Sequence, residues 1–486
     1  MPTPSSQHDR LAAIAATAMR ERGLEPDFPA EALAQAAALR NPAEHSNEST
    51  RDLRKLPWCS IDNDDSRDLD QLSASERLTG GRVRVLVAIA DVETAVGKDS
   101  PIDRHASINT TSVYTPARVF PMLPLRLSTD LTSLNADSDR LALIIEYIVL
   151  PDGSLETEDV YAAQVRNQAH LVYDDIDGFL SGRGPLPPDA TKPGIREQLE
   201  MQDQVTQLLG RRRHELGALD FELSETRVRF DGDRLRSLEP ELPNRAKSLI
   251  ENLMVASNGV VARFLDRHGS LSLRRVVQAP ERWDRIVEIA SGLGTRLPAT
   301  PDALALSQFL AARKAAQPDA FAELSHTIIR LIGAGEYVVD TPTTDAPGHF
   351  ALAVKDYTHS TAPNRRYPDL LTQRQIKAVL RAQPGPYSLE ALTTLAQLCT
   401  RREDDANRVE RQVRKSAAAM LVDTKIGQRF DAVVTGASPK GTYVRTMAPH
   451  IEGRVVRGEA GLDVGDRVSV QLVSVNVDRG FIDFAV

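Results

Sequence analysis

The segment SIDNDDSRDLDQL, Ser60 to Leu72, constrains this chain more than any other. It sets five carboxylates, Asp62, Asp64, Asp65, Asp68 and Asp70, within nine positions against one cation, Arg67. Like charges at that density repel, so the run must stay in water or meet positive charge. The neighbouring Leu56, Trp58, Ile61 and Leu69 tie it to an apolar core. In an extended segment side chains alternate, so Asp68 and Asp70 share a face, and a loop can return Asp62 beside them. Carboxylates completed by phosphate oxygens are a common way to hold Mg²⁺. A calcium loop does not fit: its sixth position, which needs Gly, is Arg67, and its twelfth, which needs Glu, is Ser73. Spacing alone leaves two readings open, a hard-metal site and a solvated acidic turn.

The rest of the chain reads as an α+β, multidomain protein. Its 486 residues allow two to four domains at about 100–200 residues each. Residues 1–55 show helical spacing at Leu11, Ile14, Ala15, Ala18 and Met19, with Gly23 as a stop. A second short helix over 31–39, closed by Asn41-Pro42, makes this a helical unit that admits a helix-turn-helix reading. From Leu56 strands take over: Val83–Ile89 and Leu141–Leu150 are β-branched apolar runs, separated by a Pro- and Ser-rich loop region over 110–130. Ser181 to Gly194 reads as a surface insertion, and Asn244 to His268 as a long amphipathic helix closed by Gly269. Short strands and turns from Gly427 to Val486 suggest a small barrel.

Cys59 and Cys399 are the only cysteines, which excludes a disulfide framework and a thiolate zinc cage. No apolar run reaches a membrane span, and no secretory leader pattern is visible, so a cytoplasmic location is expected. The net charge of −8 argues at first sight against a nucleic-acid partner. Gly436 and Gly441 have phosphate-loop spacing, but Thr442 stands where that loop needs Lys.

Three separated blocks resemble the catalytic (RNB) domain of the RNase II family of exoribonucleases. They are SIDNDDSRDLDQL, then VAIADVETAV with INTTSVYTPARVFPMLPLRLSTDLTSL, then HFALAVKDYTHSTAPNRRYPDLL at 349–371. The likeness spans 56–425 as a large mixed α/β RNB domain. Residues 426–486 resemble a five-stranded OB barrel of the ribosomal-protein RNA-binding type, through GASPKGTYVRT and GDRVSVQLVSVNVDRGFIDF. The resemblance implies a hydrolase that degrades single-stranded RNA processively from its 3′ end to nucleoside 5′-monophosphates. It further implies a monomer, Mg²⁺ as cofactor with Mn²⁺ as substitute, and RNA as partner.

Residue by residue, the resemblance places Asp62, Asp68 and Asp70 as metal ligands and Arg365 on the scissile phosphate. Arg366 becomes a neighbouring support, and Tyr114 a stacking platform for the 3′-terminal nucleotide. In the barrel, Tyr443 with Lys440 and Arg445 would offer a stacking face beside positive charge. Glu410, in NRVERQVRK, falls on the RNA channel. Arg211–Arg213 and Asn364–Arg366 would give RNA a local positive path inside an acidic shell.

Two departures stand out. The family signature ends in two adjacent aspartates, and here Asp70 is followed by Gln71, whose amide carries no charge and cannot act as a base. Another acid, Asp64 or Asp65, could compensate, and a catalytically weak or inactive RNA-binding relative is the alternative reading. Secondly, the helical unit of residues 1–55 stands where the family commonly carries two OB domains, and would open a different approach for partly paired RNA. Read by itself, that unit offers a further alternative, a helix-turn-helix regulator.

Overall fold

The computed structural model describes residues 6–40, 50–222, 226–240, 242–344, 346–438 and 441–486. Two helices open the chain, α1 (Gln7–Glu21) and α2 (Ala30–Ala38). Ser6 caps α1 by accepting the Asp9 N–H, and Gly23, at φ 71°, takes the left-handed turn beyond its end. The expected stop at Asn41-Pro42 lies outside the described residues. Helix α2, AEALAQAAA, carries no cation, and Ala32 and Ala36 face the core. It therefore offers no positive face of the kind that DNA phosphates attract.

Strands β1 (Arg51–Asp52), β2 (Cys59–Asp62), β3 (Gln71–Arg77) and β4 (Val83–Ala90) come next. Helix α3 (Pro101–Asn109) and the ribbon of β5 (Val113–Tyr114) with β6 (Val119–Phe120) precede β7 (Asp139–Val149), β8 (Leu155–Arg166) and β9 (Ala169–Val172). Seven of these strands form one sheet in the order β1-β8-β7-β4-β3-β2-β9, antiparallel except for the two edge pairs. Because β1 joins this sheet, the large domain begins ahead of residue 56. The apolar run of β4 is continuous because both faces are covered. Val85, Val87 and Ile89 pack on one side, and Leu86, Ala88 and Ala90 on the other.

Helices α4 (Tyr173–Leu180) and α5 (Ile195–Glu215) follow, then the ribbon β10 (Thr226–Asp231) with β11 (Arg234–Pro240) and helix α6 (Arg245–Arg267). Asn244 caps α6 and Gly269 follows its end at φ 62°, so the predicted long helix forms as read. Helices α4, α5 and α6 cover the Val85 face of the sheet. Strand β12 (Ser272–Val276) leads to α7 (Trp283–Gly292), α8 (Ala303–Ala316) and α9 (Pro318–Ile332), which share their own small core, and β13 (Glu336–Asp340) returns to pair with β12.

Helix α10 (Tyr367–Leu380) packs on the Leu86 face, and α11 (Leu389–Val422) runs on to the C-terminal unit. There β14 (Arg429–Ser438), β15 (Gly441–Thr446), β16 (Glu452–Arg457), β17 (Arg467–Asn476) and β18 (Phe481–Ala485) close into the expected five-stranded barrel. One apolar cluster joins the barrel, α11, the β10–β11 ribbon and α1. The N-terminal helix is thus packed between domains rather than held apart from them. No helix among the described residues is long and apolar enough to cross a membrane.

Candidate active site

The acidic run turns out to be a strand end, a loop and a strand start. Asp62 closes β2, and its Oδ1 accepts from the Asn63 N–H at 2.8 Å and the Ser66 hydroxyl at 2.7 Å, which curls the loop. Ser133 fastens the far side of the loop: its Oγ accepts the Leu69 N–H and donates to the Arg67 carbonyl. Asp68 Oδ2 accepts the Tyr114 hydroxyl at 3.0 Å. Asp70 is 2% exposed, and its Oδ1 accepts the Asn364 N–H at 2.8 Å while Arg365 Nε lies 3.3 Å from Oδ2. Residues from all three blocks therefore meet at one point.

Electrostatics mark the same point. Burial pushes the Asp70 carboxyl up to about 8, with Arg365 opposing and Asp68 reinforcing the rise. Asp68 is also raised, chiefly by burial, with its Tyr114 bond and Arg365 opposing. Among the described residues no three acidic, His or Cys side chains are grouped closely enough to hold a metal by themselves. What stands here is an open set of carboxylates whose charged forms are short of compensation. That suits Mg²⁺, which takes one or two carboxylates and completes its shell with water and phosphate oxygens.

The Tyr114 backbone N–H donates to Glu410 Oε1 at 2.8 Å, so Glu410 of α11 fixes this residue from behind. Arg365 keeps 41% of its side chain exposed, and its carbonyl accepts the Ser112 N–H. Arg366 instead turns inward to Asp369 at 2.7 Å, and Asp369 also accepts the Ala362 N–H. The pair holds the STAPNRR turn that carries Asn364 and Arg365.

A cavity of about 580 Å³ opens in front of the cluster, lined by Arg67, Asp68, Tyr114, Arg227, Lys247 and Arg414 among others. Its cations come from four segments, and sequence reasoning picked out none of them as a path. The Arg211–Arg213 triplet lies elsewhere. Arg213 is spent on Glu251 and Asn252 between α5 and α6, and Arg212 on Glu215. Asp64 and Asp65 are exposed, 3.7 and 3.9 Å from Arg227, and Asp65 also lines this cavity. Gln71 opens β3, half-buried, opposite Ile89.

Asp369 and Ser133 escape sequence reasoning, and Asn364 enters it only as part of a positive path, because their hydrogen bonds join segments far apart in the chain. Tyr173, at the start of α4, was missed as well; burial together with the Asp62 charge pushes its phenol upward. Its only sequence signal is an aromatic directly after a strand. On the barrel, Tyr443 is 45% exposed and lies opposite Arg454 and Gly436. Arg445 pairs with Glu323 of α9 at 3.1 Å, and Lys440 lies outside the described residues.

The family model described as RNB domain matches residues 50–382. The chain belongs to the RNB family. Residues 428–486 of this RNB protein match the RNase II-type exonuclease C-terminal S1 domain. Ribonuclease R of Vibrio cholerae is 31% identical, the match covering 96% of this chain and 60% of that protein. The chain thus spans about 60% of the length of the curated relatives it matches. Mycoplasma genitalium RNase R in complex with ribose methylated single-stranded RNA shares the fold at TM-score 0.87 and 22% identity, over 98% of this chain and 78% of that one. Yeast Ssd1, a pseudonuclease, shares it at TM-score 0.71 and 18% identity, over 96% of this chain and 57% of that one.

Proposed function

We propose that this RNB protein is a Mg²⁺-dependent 3′-to-5′ exoribonuclease that degrades single-stranded RNA processively to nucleoside 5′-monophosphates. The carrying observation is the convergence on Asp70, where the Asn364 N–H and Arg365 meet a buried carboxylate within the electrostatic reach of Asp68, which itself lines a cavity with Arg67, Arg227 and Arg414. Asp62, Asp68 and Asp70 would hold the metal, which supplies an activated water and charge neutralisation at the phosphate. Arg365, with its guanidinium accessible, offers planar donors to the non-bridging oxygens and stabilises charge as it develops. The Tyr114 ring gives the terminal base a stacking surface that tolerates any sequence. Arg67, Arg227 and Arg414 would neutralise upstream phosphates, so the net charge of −8 does not oppose RNA.

Gln71 supports a second reading, an RNA-binding relative without turnover, and a pseudonuclease with this fold exists in yeast Ssd1. The deciding assay follows mononucleotide release from end-labelled single-stranded RNA with Mg²⁺, native beside Gln71→Asp. Release by the native chain is expected. Intact RNA with the native chain but cleavage with Gln71→Asp would overturn the catalytic reading.

A further inference from the structure

Tyr114 is held at both ends. Its backbone N–H is tied to Glu410 on α11 at 2.8 Å, and its hydroxyl donates to Asp68 Oδ2 at 3.0 Å. The phenol therefore spans from α11 to the acidic loop like a strut. It also walls two spaces at once. On one side is the cavity of about 580 Å³ with Arg67, Arg227 and Arg414; on the other is a smaller one of about 150 Å³ with Arg365, Arg366, Tyr337 and Glu403. Both cavities share Tyr114 and Glu410 as lining.

A stacking platform needs only the ring, and phenylalanine would serve that purpose. The hydroxyl does something separate: it claims one of the two Asp68 oxygens and so sets the rotation of that carboxylate. Hydrogen bonds of this type to a ligating carboxylate orient it toward the metal and govern affinity. We infer that the Tyr114 hydroxyl is a positioning group that sets Asp68 for the metal and couples 3′-end capture to the acid cluster. This rests on the exoribonuclease reading of the same site. A base seated against the ring then steadies the strut, and the strut steadies Asp68.

The test separates ring from hydroxyl, using the full chain and Mn²⁺ as the probe ion, read by electron paramagnetic resonance without RNA. Tyr114→Phe should weaken Mn²⁺ binding about tenfold or more, the scale of losing such an orienting partner. In the same variant, RNA affinity measured in EDTA should stay within about twofold of native, whereas Tyr114→Ala should lose about tenfold, the scale of one lost base stack. Turnover of Tyr114→Phe should fall in kcat with KM little moved. In a double-mutant cycle, Tyr114→Phe should add nothing to the Mn²⁺ defect of Asp68→Asn. Native Mn²⁺ affinity in Tyr114→Phe, or additive losses in the cycle, would overturn the inference. So would an RNA-affinity loss in Tyr114→Phe equal to that of Tyr114→Ala, since the hydroxyl would then only hold the ring. Failure of the native chain to release mononucleotides strikes the exoribonuclease reading instead, and leaves the Mn²⁺ and RNA-binding arms readable.

Discussion

The acid cluster and the C-terminal barrel are built in opposite ways. Asp70 is buried, and both its carboxylate oxygens face partners, Asn364 and Arg365, almost 300 residues along the chain. Tyr443 is 45% exposed on a short strand whose pairings all fall within one barrel. The first region is rigid because many segments must agree before it exists; the second is a local surface that any stable barrel would present. Damage to the first should therefore appear in turnover, and damage to the second in affinity.

The largest break in that contrast should come from Asp70→Asn. It keeps the shape but removes the charge that faces Arg365 and, on the proposed function, a metal. Turnover should fall by about 10²–10³-fold or more, the scale of losing one preorganised charge-stabilising group. RNA affinity, measured by filter binding, should change little. Loss of affinity comparable to the loss of turnover would show that the two regions are not separable.

The buried Asp70 also makes stability depend on pH and on metal. Its carboxyl is raised from 3.8 to about 8 in the folded, ion-free chain. The folded state then binds more protons than the unfolded state between those limits, so stability must fall as pH rises through that window and level off beyond it. In EDTA, the melting temperature of the native chain should decline from about pH 5 to about pH 8 more steeply than that of Asp70→Asn. Mg²⁺ should flatten the native slope. An equal slope in both proteins would remove Asp70 from this account.

The same contrast explains what the sequence discloses. The helical unit, the sheet strands, the long α6 helix and the barrel are all written in local periodicity, and each forms where its pattern lies. The acidic run is legible because charge density at that spacing demands an explanation. What makes Asp70 special is not legible, because the Asn364 N–H that caps it is an ordinary backbone group brought near only by the fold. Arg445 was read as an RNA contact from its neighbours Tyr443 and Lys440, and its partner Glu323 lies on a helix far upstream. The Arg211–Arg213 triplet does not line the cavity beside Asp68, since a run of cations in sequence need not face a given cavity.

A smaller effect is expected at Tyr443. The residue sits opposite Gly436 and Arg454 in the barrel register and is 45% exposed. Tyr443→Ala should weaken single-stranded RNA binding by about 1–3 kcal/mol, the range for a lost base stack. The loss should appear in KM, unlike the turnover loss of Asp70→Asn. Unchanged affinity would mean that Tyr443 is not part of the RNA surface.

The smallest effect should arise where the barrel docks on α9, at Arg445 and Glu323. Their side chains are 27% and 25% exposed, so the pair is neither fully screened nor deeply buried. Breaking it with Glu323→Gln should cost at most about 1 kcal/mol of stability. The same change frees Arg445 for an RNA phosphate. Each added phosphate contact on a single strand steepens the dependence of log affinity on log salt by about 0.7, so Glu323→Gln should bind RNA slightly tighter at low salt with that extra slope. Arg445→Ala should lose the same stability without the gain in binding. If Glu323→Gln leaves the salt slope unchanged, Arg445 serves only to dock the barrel on α9, and the barrel's part in RNA binding rests on Tyr443 and its neighbours.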